Sequence, residues 1–130
     1  MTHNDASALF SETVLTSLFP KERANQFFEA LYGDSRDGAY DISLAFSKLE
    51  NKQLSFEFKL KQRAGKCLAC NLTYGLPTVF SRHPVINLNG LQKDINTILN
   101  GNASCTRWNI GNTREISNRL HVIPITFHLA

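Results

Sequence analysis

The residue types best suited to chemistry fall in one short run. Cys67-Leu68-Ala69-Cys70 has the spacing at which two thiolates share a zinc ion or form a redox pair, with His83 and Cys105 as further ligands. Such pairs work from a tight turn or a helix N-terminus, where residues three apart converge and a thiolate is stabilised. Here the surrounding alternation is that of a strand, on which positions three apart face opposite ways. The spacing therefore predicts Cys70 in the core and Cys67 on the surface, with a metal or thiol site as the alternative. Arg82-His83-Pro84 sits in an irregular, proline-punctuated stretch, where polar side chains are not spent on secondary structure. Arg82 and His83, together with the single Trp108, are the candidate ligand or partner contacts. His121 and His128 flank the last strand and read as surface residues beside Thr126. No cofactor is expected, and zinc enters only with the cysteine alternative.

Nucleophilic catalysis has no foothold. There is no Gly-x-Ser-x-Gly elbow, the carboxylates are scattered, and no glycine-rich phosphate loop is present, so no catalytic residue is assigned. A formal charge of +3 over 130 residues is far below the basic density that binding a phosphate backbone needs. The largest local excess runs from Glu57 to Lys66, where Lys59, Lys61, Arg63 and Lys66 face a single acid. It reads as a solvated, edge-protecting face. The phenylalanines fall on the opposite, apolar parity, so the exposed aromatics that stack bases are missing and no nucleic acid is expected. No run of about 18 apolar residues and no cationic, apolar leader is seen, which points to a cytoplasmic protein without a membrane segment. Three cysteines in that compartment read as free thiols.

The elements that must position these residues follow from periodicity. Phe10, Val14, Leu15 and Leu18 predict one short helix over 5–19, ended by Pro20. Ala24, Phe27, Phe28 and Leu31 predict a second, with Gly33 as its C-cap and a turn over 34–38. The period then falls to two. Tyr40, Ile42, Leu44 and Phe46, then Leu54, Phe56, Phe58 and Leu60, alternate with polar residues, predicting an antiparallel pair. Leu68, Cys70, Leu72 and Tyr74 predict a third strand. Residues 76–88 read as a packed connection with a short strand near Val85 to Leu88. Leu91, Ile95, Ile98 and Leu99 predict a helix opened near Asn89 and closed by Gly101. Thr106, Trp108 and Ile110 predict a further strand, and Ile123, Ile125, Phe127 and Leu129 a final one. Pro124 implies that this last strand lies at an edge or carries a bulge, and 111–121 reads as a hairpin arm or a loop. The result is one α+β domain over 1–130. In it an antiparallel sheet of about five strands packs against two N-terminal helices and one middle helix.

Phe27 to Asp34, Gly38 to Leu44 and Lys66 to Pro77 together resemble a small family of uncharacterised bacterial proteins. The resemblance spans most of the chain and implies no activity. A homeobox-type assignment does not fit, because Trp108 lies in a strand-like setting followed by Gly111 and not on a basic recognition helix. The expected function is a non-enzymatic binding or adaptor domain, acting on a protein partner or small ligand and open to homodimer formation. The load of 13 aromatic residues implies that some line a groove or an interface.

Overall fold

Strict alternation of apolar and polar residues builds the centre of the molecule. The computed structural model describes residues 1–33, 40–64 and 76–130. Tyr40, Ile42 and Leu44 turn inward along β1 (Tyr40–Glu50), and Leu54, Phe56, Phe58 and Leu60 do so along β2 (Gln53–Gln62). The two strands pair antiparallel through Asn51 and Lys52, both at positive φ (50° and 59°). That left-handed pair matches the right-handed twist of the flanking strands.

β5 (Leu120–Leu129) lies on the far side of β2, and β3 (Cys105–Ile110) and β4 (Arg114–Ser117) lie end to end on the far side of β5. The order is β1-β2-β5-β3, with β4 also on β5, and every pairing is antiparallel. Segment 111–121 is thus a hairpin arm. β5 is an inner strand, which corrects the edge reading drawn from Pro124. The proline is tolerated because its missing N–H faces the break between β3 and β4, while its carbonyl accepts a bond from the Gly111 N–H at 2.7 Å.

The helices pack on one face. The stretch read as one helix over 5–19 is two, α1 (His3–Leu9) and α2 (Glu12–Leu18), because the Ser11 hydroxyl accepts a bond from the Val14 N–H and starts a new helix. α3 (Glu22–Tyr32) ends at Gly33, whose φ of 80° makes it the expected C-cap. All three touch β1. The connection over 76–88 holds α4 (Leu76–Arg82) instead of a strand. Pro77 falls in its first turn, where a missing N–H costs nothing, and Leu76 and Phe80 are buried one turn apart. α5 (Leu88–Leu99) packs on β3, and its start near Asn89 is capped by Asn87, whose side chain accepts a bond from the Gly90 N–H at 3.1 Å. The Asn96 side chain accepts from the Cys105 N–H at 2.6 Å and donates to the Cys105 carbonyl at 3.2 Å, tying α5 to β3. The helical layer therefore has three N-terminal and two middle helices among the described residues. The turn over 34–38 and the third strand through Leu68 and Tyr74 lie outside them.

Edge-to-face aromatic contacts run through the core. Phe10 meets Phe56 at 5.0 Å, Phe19 and Phe80 each meet Phe58 at 5.3 Å, Phe28 meets Tyr40 at 4.9 Å, and Phe127 meets Phe56 at 5.8 Å between ring centres. Each such pair adds about 1 kcal/mol to the burial itself. Among the described residues Phe19 lines a groove while only 2% exposed, and the large exposed hydrophobics are Met1 and Ile116. The sheet, with the described helices against one face, hides the rings more fully than the short helices suggested.

Candidate binding cleft

The polar face of the sheet carries the molecule's concentrated charge. Lys59 and Lys61 alternate out of β2, and Arg63 follows just past its end. β2 lies between β1 and β5, so these cations do not guard an edge, as the sequence had suggested. The Gln62 N–H donates to the Arg119 carbonyl at 2.9 Å and draws the β4–β5 turn against the end of β2. Register sets Lys61 beside Leu120 and Lys59 beside Ser43. Lys59, Lys61, Arg63 and Arg119, with Ser43, Gln62, Ala64 and Leu120, thereby line an open cleft of about 720 Å³.

The four cations are held differently. Arg63 is fixed: its Nε donates to Asp41 Oδ1 at 3.0 Å, its Nη2 donates to Asn25 Oδ1 at 2.7 Å, and its guanidinium lies 5.4 Å from the Phe28 ring centre. Lys59, Lys61 and Arg119 have no carboxylate partner among the described residues. The nearest acid on β2, Glu57, is taken by Arg114 at 3.7 Å. A concave surface lined by one sign of charge raises the local concentration of the opposite sign. Farther along the same face, Ser55 and Thr126 hydroxyls lie 3.4 Å apart and Asn109 Nδ2 lies 2.8 Å from His128 Nε2, a neutral polar ladder.

The described residues among those singled out from the sequence lie elsewhere. Cys67 and Cys70 fall outside the described residues. Cys105 is buried at the start of β3, and burial pushes its thiol up to about 11, which disfavours the thiolate a metal needs. His83 closes α4: its Nδ1 accepts from the Val85 N–H at 3.2 Å and its ring meets Phe27 at 4.9 Å, so it shapes the connection. Arg82 is exposed at the end of α4, outside the cationic cleft. Trp108 is half-buried on the apolar face and donates its Nε1–H to Asn89 Oδ1 at 2.8 Å, fastening α5 to β3. His128 keeps its place beside Thr126. His121 does not: it pairs with Leu60 on the apolar parity and is 3% exposed. No group of three or more metal-ligating side chains occurs among the described residues. Among them, too, no helix is long and apolar enough to cross a membrane. Arg119 was missed, because only the pairing of β2 with β5 brings it to Lys59 and Lys61.

No protein-family model, curated protein or solved structure matches this chain.

Proposed function

We propose that this chain is a non-enzymatic binding domain whose cationic cleft holds an acidic stretch of a partner protein. The observation that carries this reading is the set of three cleft cations, Lys59, Lys61 and Arg119, without carboxylate partners among the described residues. Charges left in this state gain most from an anion supplied by another molecule. A polypeptide is favoured over a nucleic acid because the described cleft lining offers no aromatic surface for stacking bases. Arg63, already anchored, gives the cleft a rigid wall, while the two lysines keep their side chains free to adapt.

The test is fluorescence anisotropy with a labelled deca-glutamate peptide and an oligoribonucleotide of equal charge. The peptide is expected to bind, more weakly as salt rises. Lys59→Glu combined with Lys61→Glu is expected to weaken it at least about tenfold, or ~1.4 kcal/mol, with the cooperative unfolding transition retained because both side chains are exposed. RNA binding as tight as that of the peptide would overturn the reading.

A further inference from the structure

We infer that the partner segment joins the sheet as an added strand along β1 and alternates apolar with acidic residues. This rests on the cleft reading above and specifies how the segment is held. β1 ends the strand order, and no strand lies beyond it among the described residues. The ladder shows which of its backbone groups face outward. Gln62 donates to the Arg119 carbonyl and Leu129 to that of Lys52, so the even-numbered residues of β2 turn their backbones toward β5 and the odd-numbered ones toward β1. Asp41, Ser43 and Ala45, which pair with Lys61, Lys59 and Glu57, therefore bond back to β2. Ile42 and Leu44 then present N–H and C=O to the edge that no described strand covers.

A groove of about 340 Å³ follows this edge between β1 and α2. It is lined on one side by Leu15, Phe19 and Leu44 and on the other by Ser43, Ala45 and Lys59, and it shares Ser43 and Lys59 with the cationic cleft. Edge and cleft are thus continuous. The groove has a built end: past the bulge near Ser47, the Leu49 N–H donates to His3 Nδ1 at 3.3 Å, and the His3 ring lies 5.4 Å from Phe46, so α1 covers the edge there. The open stretch centres on Leu44.

An added strand takes main-chain bonds from such an edge and sends successive side chains to opposite faces. One set would enter the apolar side against Leu15 and Phe19, where Glu12 and Lys21 together add no net charge. The other set would pass Ser43 and reach Lys59, whereas Lys61 stands behind Asp41. Charge complementarity and the two-sided lining together call for an extended segment of alternating apolar and acidic residues.

Residue-resolved amide exchange on the full chain tests this with two peptides of identical composition. One is Val-Glu repeated four times; the other has four valines followed by four glutamates. In the free protein the Leu44 amide is expected to exchange at least about a hundredfold faster than those of Ser43 and Ala45. The alternating peptide is expected to slow Leu44 by about tenfold or more and to bind about tenfold more tightly than the block isomer. Equal binding of both peptides with Leu44 still fast would overturn strand addition and leave the cleft reading standing, whereas binding of neither would remove both. Leu44 protection in the free protein would also overturn it: if protection rises with protein concentration, the edge belongs to a second copy, and if it does not, another part of this chain occupies it.

Discussion

Gly111 shows how much one residue decides. A Cβ built there would lie 2.7 Å from Pro124 Cγ and 3.6 Å from both its Cδ and its carbonyl oxygen. The ring is stiff, so Gly111→Ala is expected to lower stability by about 1–3 kcal/mol, read from the denaturant midpoint, and adding Pro124→Ala is expected to recover most of it. An unchanged midpoint in the single variant would show that β3 lies less tightly on β5 than this contact requires. Cys105 makes a second expectation. Its folded thiol titrates near 11, above the ordinary value, so its share of stability is intact below the ordinary thiol range and is lost as pH climbs through 11. At pH 8, iodoacetamide should leave Cys105 unmodified in the folded chain and label it in denaturant, as peptide mapping will show. Rapid labelling of the native protein would contradict its burial. At this scale the sequence was legible where residue type and parity agreed. They agreed for Phe56 and Lys59. At His121 they conflicted: it shares parity with Ile123, Ile125 and Phe127, and its polarity suggested the outer face.

The starts of α1 and α2 are set by caps that hydrophobic periodicity does not reveal. Phe10, Val14 and Leu18 keep a continuous helical period, yet Ser11 breaks the run by capping α2, and Thr2 and Asp5 form a reciprocal box at the start of α1. The Thr2 N–H donates to Asp5 Oδ2 at 3.0 Å and the Asp5 N–H to Thr2 Oγ1 at 3.1 Å. The Thr2 backbone bond, then its side chain, holds the Asp5 carboxyl below its usual value. A depressed folded value means that the cap is fully effective above the ordinary carboxylate range and is lost as pH falls through the lowered value. A titration of the Asp5 side-chain resonance is expected to show a midpoint below that of an unstructured aspartate. A midpoint at or above it would mean that the box does not form in solution. α4 was illegible for a related reason. Proline reads as a breaker, and only its place in a first turn makes it compatible with a helix.

For the molecule as a whole, the shift from a period of 3.6 to one of two made the α+β class legible. The order of strands was not, because β2 pairs with β5 across some sixty residues of intervening chain and no local pattern encodes that partner. The same long-range pairing builds the cleft. Lys59, Lys61 and Arg63 stand out in the sequence as a basic run, and their use as a concave site depends on β5 bringing Arg119 to them. The described helices occupy the other face of the sheet, and among the described residues none covers this surface. The most direct measurement is the affinity of the full chain for deca-glutamate, compared with the variant carrying Lys59→Glu and Lys61→Glu at low and at physiological salt. Binding by the wild type that weakens with salt and largely disappears in the folded variant is the expected result. No binding at low salt, or equal affinity in both proteins, would contradict the cleft as the site of function.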